Sequence, residues 1–325
     1  MALASALIKH YAVARLARLP RPTPTATTAA TTAAAGAAAG TATAAGTGTA
    51  TTAAIAPAAV VAGKATAEAW AAALATPFTR DARTKPVWID PVTGRQPVAF
   101  NVSHQNGVVV IVAVAGYGYQ GGGAGGGGDG VEVPVEVGVD VVCTSERRAR
   151  DHAMLAGEGW PAFVDMHADV FAPGEVAYLK HRVLEAVPEL AAAGAATVAR
   201  ISDAKLRAFY TLWGLREAYV KLTGEALLAE WLKDLEFRGF QPPRPTAGWD
   251  VPAREEEGEV VRDIEIWFKG GRVEDVNICL RSMGQDFMIA TAVRTPGRKE
   301  DGLGWALGPY EVLSLEQVLD FAEGK

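Results

Sequence analysis

Residues 213–224 read WGLREAYVKLTG, and this stretch decides how the chain is interpreted. From residue 202 onward, steps of three and four place a series of side chains on one face of a predicted helix. Large apolar side chains come first on that face, at Leu206, Phe209, Tyr210 and Trp213. Glu217 and Lys221 then continue it, and charge on a core-facing stripe is costly unless it meets a partner, a metal or a ligand. The alternative is an exposed ion pair worth about 0.2–0.5 kcal/mol.

Composition excludes several classes of protein. The chain has 325 residues and a net charge of −6, whereas a general nucleic-acid binder shows a basic stripe. Its two cysteines cannot form a disulfide framework, and no Cys/His spacing resembles a zinc site. We therefore expect a reducing, intracellular setting, in the cytoplasm, with no nucleic acid as partner.

The N-terminal region allows two interpretations. No run of about 18 apolar residues appears, so we expect neither a spanning helix nor a membrane partner. No Asp or Glu precedes Glu68, and such a basic, acid-poor start is also typical of a mitochondrial transit peptide. We favour a domain helix at residues 3–19, since apolar side chains recur along one side of it.

The order of elements predicts an α+β fold in two parts, residues 1–136 and 137–325. Within the first part, residues 24–66 are a low-complexity insertion, and the segment 25–54 contains only Ala, Thr and Gly. A segment without large side chains cannot offset the entropy of ordering, so we expect it to be flexible. Residues 120–130 are a Gly-rich linker, and no Gly-Lys-Ser/Thr follows them to make a phosphate loop.

Periodicity and turn signals locate the main elements. The dipeptide Asn106-Gly107 predicts a hairpin that pairs residues 100–103 with the buried strand 108–114. A strand at 133–143 follows the linker. The later part of the chain predicts helices at 168–182 and 202–224, and strands at 264–268, 273–281 and 287–294.

Two short polar motifs interrupt apolar strands. In NVSHQ, residues 101–105, the Ser and His side chains suit phosphate binding, although a turn that satisfies its own backbone would use the same residues. In GVDVV, residues 138–142, a buried Asp140 must be hydrogen-bonded or bind a cation. Mg²⁺ takes one or two carboxylates together with water and phosphate oxygens. The alternative for Asp140 is a cap of the next turn.

The three stretches FNVSHQ, VGVDVV and FYTLWGLREAYVKLTGEALL, in this order, resemble the signature motifs of the Sfp-type 4′-phosphopantetheinyl transferases, the fungal members above all. The resemblance implies two α+β subdomains related by a pseudo-twofold axis, with coenzyme A in the cleft between them. It implies transfer of 4′-phosphopantetheine from coenzyme A to a serine of an apo acyl or peptidyl carrier protein, with release of 3′,5′-ADP.

The same resemblance implies roles for the metal and for proton transfer. Asp140 and Glu217 should bind Mg²⁺ at the diphosphate, and Gln105 should help at the metal, directly or through water. Glu217 should also deprotonate the carrier serine, directly or through water. Lys221 should neutralise or protonate the leaving phosphate.

Further residues are implied to contact coenzyme A. Ser103 and His104 should hold its 3′-phosphate region, and Lys221 should also contact coenzyme A. Lys85 falls where the family places a basic residue, and Arg216 keeps the charge of the lysine that the family has before the glutamate.

This chain departs from the family pattern in two further ways. Some relatives carry a second acid where this chain has Val142. The chain also reaches its first helix abruptly, so we expect that it lacks an N-terminal piece. Two functions are therefore considered: a monomeric transferase acting on carriers of polyketide, nonribosomal peptide, lysine or fatty-acid synthesis, and a truncated, catalytically impaired homologue that only binds coenzyme A.

Overall fold

The computed structural model describes residues 2–16, 49–52, 63–115, 135–186, 198–225, 229–294 and 310–323. The helices are α1 (Ala2–Leu16), α2 (Gly63–Ala75), α3 (Arg148–Gly157), α4 (Trp160–Asp165), α5 (Pro173–His181), α6 (Val198–Thr223) and α7 (Leu315–Glu323). The strands are β1 (Thr49–Thr52), β2 (Thr79–Arg80), β3 (Pro86–Val87), β4 (Val98–Gln105), β5 (Val108–Ala115), β6 (Glu136–Cys143), β7 (Leu235–Arg238), β8 (Val260–Val261), β9 (Glu265–Phe268), β10 (Gly271–Arg272), β11 (Val276–Met283) and β12 (Phe287–Arg294).

The first sheet has the order β1-β5-β4, and all its pairs are antiparallel. The predicted hairpin is confirmed, because Asn106 and Gly107 both have positive φ, 43° and 86°, as a two-residue hairpin turn requires. Both faces of β5 are buried: Val110, Val112 and Val114 contact one core and the residues between them contact another.

Strand β1 and the start of helix α2 lie inside the predicted low-complexity insertion. Residues 49–52 and 63–66 of that segment take regular secondary structure, and the expected flexibility of residues 24–66 stays a prediction. Backbone groups of β1 pair with β5, Thr49 opposite Ala115, and this pairing does not need large side chains. The other residues of the insertion, and the Gly-rich linker 120–130, lie outside the described residues.

A second sheet, of order β6-β12-β11-β8, carries the long helix α6 on one face. Glycines allow this close contact, since a Cβ on Gly138 would lie 2.1 Å from the carbonyl oxygen of Ala218. Strands β7, β9 and β10 form a separate small sheet. The late strands are confirmed to within three residues, whereas the predicted helix 168–182 is broken: extended backbone at Phe171 and Ala172 separates a 3₁₀ turn from α5.

Strands β4 and β6 lie side by side but belong to different sheets. Side-chain amides join them: the Oδ1 of Asn101 accepts a hydrogen bond from the Val139 N–H at 3.1 Å, and the Oε1 of Gln105 accepts one from the Cys143 N–H at 2.9 Å. Alternate residues of a strand point the same way, so both amides reach β6. We call this contact the β4–β6 seam.

Helix α7 returns to the N-terminal part of the chain. Its Phe321 ring lies 4.8 Å from that of Tyr11 in α1, and Val318 is buried in the same core. Helix α1 is thus a packed domain helix, as expected, and residues 310–323 complete the core of the first part. The mixture of helices and sheets confirms the α+β class. Among the described helices, none combines the length and the apolar character needed to cross a membrane.

Candidate active site

A cavity of about 440 Å³ opens where β4, β6, α3 and α6 meet. The residues that line it come from all three sequence motifs and from the segments around α3 and α4. They are Ser103, His104, Gln105, Asp140, Val141, Val142, Arg147, Arg150, Asp151, Met154, Phe163, His167, Phe209, Tyr210, Trp213, Glu217 and Lys221.

Three polar side chains form a hydrogen-bonded cluster at the β4–β6 seam. The Lys221 ammonium donates to Asp140 Oδ1 at 2.6 Å and to the Ser103 hydroxyl at 2.8 Å. Ser103 in turn donates to Asp140 Oδ1 at 2.8 Å. Asp140 is buried, and burial raises the pKa of its carboxyl, while Lys221 and Ser103 oppose that shift. A strand from each sheet and the last turn of α6 thus contribute to one charged centre.

Glu217 lies one turn before Lys221 on α6 and lines the same cavity. Burial raises the pKa of its carboxyl, the nearby Asp140 charge raises it further, and Lys221 acts in the opposite direction. Among the described residues, none forms a hydrogen bond with the Glu217 carboxylate. The charged stripe therefore borders a cavity, and its lysine pairs with Asp140 on β6 rather than with Glu217.

His104 and Gln105 occupy different positions at the end of β4. His104 is exposed and borders the cavity, on the opposite side of the strand from the buried Ser103. Gln105 uses both atoms of its amide: Oε1 accepts from the Cys143 N–H and Nε2 donates to Glu146 at 2.5 Å. Direct ligation of a metal by Gln105 would compete with its bond to the backbone, and its metal role stays a prediction.

Arg216 does not reach the cavity. Its guanidinium is buried against Glu175, a position that disfavours the expected contact between Arg216 and coenzyme A. Consecutive residues of a helix point about 100° apart. On α6 the Glu217 side chain points into the cavity, so the Arg216 side chain points away from it.

Lys85 lies at the carboxyl end of α6. Its ammonium donates to the carbonyl of Leu222 at 2.6 Å, and burial lowers its pKa. This is a favourable place for a cation, because the carbonyls of the last turn have no partners within the helix. Lys85 is not among the residues that line the cavity, and its contact with coenzyme A stays a prediction.

Sequence reasoning missed the wall of the cavity that α3 provides. Arg147, Arg150 and the buried Asp151 lie there, and the Tyr210 hydroxyl donates to Asp151 at 2.5 Å. The run ERRARD at residues 146–151, directly after the strand of Asp140, was an available signal of charge. Phe163 gave no such signal, because it comes from the separate helix α4, whereas Phe209, Tyr210 and Trp213 lie on the predicted face of α6.

The donor set suits a hard divalent cation. Asp140 and Glu217 border one cavity, and each carboxyl has a raised pKa, which is the unfavourable situation that a cation relieves. Within the described residues, no group of three or more His, Cys, Asp or Glu side chains could hold a metal by itself. Two carboxylates fit Mg²⁺, which fills its remaining positions with water and phosphate oxygens.

Comparison with known proteins agrees with this geometry. The profile of the 4′-phosphopantetheinyl transferase superfamily matches residues 136–258. The chain is 41% identical to 4′-phosphopantetheinyl transferase 1 of Fusarium mangiferae over 245 residues, which cover 75% of this chain and 69% of that protein. It is 32% identical to 4′-phosphopantetheinyl transferase NpgA of Emericella nidulans over 263 residues, 74% of this chain and 72% of that protein. The chain therefore belongs to the 4′-phosphopantetheinyl transferases, as an enzyme of the fungal Sfp type.

Proposed function

We propose that this enzyme transfers 4′-phosphopantetheine from coenzyme A to a serine hydroxyl of an apo acyl or peptidyl carrier protein and releases 3′,5′-ADP. The observation that supports the proposal most is the Ser103–Asp140–Lys221 cluster, which shares one cavity with Glu217. Such a site combines a base, a cation and hydroxyl donors around a space large enough for a diphosphate.

In this proposal Glu217 accepts the proton of the carrier serine as its oxygen attacks the β-phosphorus of coenzyme A. The bond from that phosphorus to the bridging oxygen breaks, and 3′,5′-ADP leaves. A carboxylate with a raised pKa is a stronger base than an ordinary glutamate, and a positioned base contributes about 10²–10⁴-fold. Its half-buried position beside the cavity also limits competition from water.

Lys221 meets the charge that grows on the leaving phosphate. Its ammonium is held by Ser103 and Asp140, so it is oriented before substrate binds. Ser103 and the exposed His104 lie at the adjoining end of β4, and we assign them to the 3′-phosphate region of coenzyme A. Lys85 would contribute a further positive charge to the binding of coenzyme A.

Asp140 and Glu217 are the residues that would hold Mg²⁺, with Gln105 close to them on the seam. When bound, the ion neutralises charge on the diphosphate. We extend the proposal to a monomer that acts in the cytoplasm on carriers of polyketide, nonribosomal peptide or lysine synthesis, as the resemblance to the family implies.

The experiment is intact mass spectrometry of a purified apo carrier domain after incubation with the enzyme, coenzyme A and Mg²⁺. We expect the carrier to gain one phosphopantetheine group, and to gain none with EDTA or when its acceptor serine is replaced by alanine. A folded enzyme that binds coenzyme A, measured by calorimetry, but leaves the carriers unmodified would overturn the proposal in favour of a binding protein without turnover.

A further inference from the structure

Arg216 is at the centre of a buried polar cluster on the side of α6 that faces away from the cavity. Its ion pair with Glu175 is sealed, and each of the two side chains is 1% exposed. The guanidinium also donates to the carbonyls of Leu232 at 2.6 Å and Leu235 at 2.9 Å. These carbonyls belong to a 3₁₀ turn, Glu230–Asp234, and to the start of β7.

Glu175 extends the cluster to the start of α5. Its carboxylate accepts hydrogen bonds from the backbone N–H groups of Ala172 at 2.8 Å and Phe237 at 2.7 Å. The rings of Phe171 and Phe237 lie 5.5 and 5.8 Å from the guanidinium carbon of Arg216. One guanidinium therefore connects helix α6 to two other segments of the chain.

The geometry of the helix links this cluster to the cavity. Glu217 follows Arg216 directly, so its side chain is rotated by about 100° from the cluster and lines the cavity. Lys221 is held by two side chains across the seam, but the Glu217 carboxylate has no hydrogen-bond partner in the part of the chain that the structure describes. The position of Glu217 therefore depends on the rotation of α6 about its own axis.

We infer that the Arg216–Glu175 pair positions Glu217, by holding α6 at the rotation that directs this carboxylate into the cavity. The inference rests on the proposed role of Glu217 as the base. It requires the planar fork of arginine, because two carbonyls and a carboxylate are reached at once from one group. Arg216 is a positioning residue in this account and touches no substrate.

The test compares three variants of the full chain. Glu175→Leu with Arg216→Met removes both charges together, which avoids an unpaired buried charge but takes the side-chain partner from four backbone groups. Its melting temperature should therefore fall, and kcat is measured well below that temperature. We expect this double variant to stay folded by circular dichroism, to bind coenzyme A within about twofold of wild type, and to lose about 100-fold in kcat. Arg216→Lys keeps the charge but loses the planar fork of the guanidinium. Its kcat should therefore lie between that of wild type and that of the double variant.

Arg207→Met is the matched control. Arg207 lies on the same helix, away from the cavity, and its guanidinium donates to the Pro243 carbonyl at 2.8 Å and to the Ser282 hydroxyl at 2.9 Å. Its loss should lower the melting temperature, and kcat well below that temperature should stay at the wild-type value.

Three results would overturn the inference: a folded double variant with wild-type kcat, a loss of coenzyme A affinity in place of kcat, or an equal loss of kcat in Arg207→Met. Wild-type protein, measured in parallel, separates the two proposals. If wild type modifies the carrier, any of these three results counts only against the positioning role of the Arg216–Glu175 pair. If wild type shows no transfer, the proposed function is overturned and this inference with it.

Discussion

Lys221 pairs with Asp140 across the seam rather than with Glu217 on its own helix. This pairing leaves the Glu217 carboxylate without a hydrogen bond from any of the described residues. The carboxylate of Asp140 lies nearby. Asp140 and Glu217 therefore differ: Asp140 is fixed by Ser103 and Lys221, whereas Glu217 remains available to accept a proton.

Replacement of this base is the sharpest test at the residue scale. Glu217→Gln keeps the size of the side chain but cannot accept a proton, so we expect transfer to fall by about 10²–10⁴-fold. Binding of coenzyme A, measured by calorimetry, should stay largely intact. An equal loss of binding and transfer would count against the catalytic role.

In the metal-free protein, the Glu217 carboxyl should titrate above the ordinary pKa of 4.5, because burial and the nearby Asp140 charge raise its pKa. Lys221 lowers this pKa, so Lys221→Met should raise it further, as measured by NMR titration of the carboxyl without Mg²⁺. Lys221→Arg keeps the charge and should leave the pKa in place. A Glu217 pKa that does not rise in Lys221→Met would contradict the assignment.

The sequence predicted the charged residues of the site better than their directions. Asp140, Glu217 and Lys221 could be found because charge interrupts apolar strands and stripes. The burial of Arg216 away from the cavity was not predicted, since its charge alone does not show which side of α6 it faces. Its partner Glu175 lies 41 positions earlier in the chain, beyond any local pattern.

Helix α6 and strand β6 approach so closely that only glycine fits between them. We expect Gly138→Ala to destabilise the protein by about 3 kcal/mol, because a Cβ would meet the Ala218 carbonyl oxygen at 2.1 Å and the Leu222 nitrogen at 2.5 Å. Urea unfolding measures this change.

Gly157→Ala is the control for that variant. Apart from its chain neighbours and the backbone of its own helix, no atom of the described residues lies within 4 Å of a Cβ at this exposed position at the end of α3. Stability should therefore change by less than about 1 kcal/mol. Similar losses in both variants would show that the close approach is not the cause.

Helices and strands were predictable where the apolar periodicity was strong and a local turn signal marked the end of the element. The hairpin at Asn106-Gly107 and the late strands follow from turn chemistry and β-branched runs. The break before α5 could have been predicted from Pro173, which fixes the first turn of a helix and disfavours helix at the preceding residue.

At the scale of the whole molecule, helix α7 closes the core of the first part from the far end of the chain. Val318 is 6% exposed in that core, and we expect Val318→Asp to detach α7 and to cost about 3 kcal/mol. Hydrogen exchange of residues 315–323 should accelerate. Transfer by the remaining folded protein should persist, because the cavity is lined by other elements.

Leu319→Asp is the matched control, since Leu319 is 46% exposed on the same helix. It introduces the same charge without burying it, and exchange of the helix should stay slow. Loss of transfer in the Val318 variant, with exchange unchanged, would contradict this description of α7. The return of α7 was not predictable, because its partners in α1 and α2 are separated from it by most of the sequence.

The β4–β6 seam has an evolutionary consequence. Because Asn101 and Gln105 bridge the two sheets with their side chains, the distance between the sheets is set by side-chain length and not by a backbone ladder. A substitution between asparagine and glutamine at these positions would change the length of the bridging side chain by one methylene group. Natural variants could thus adjust the width of the site in small inherited steps while both sheets keep their strand order.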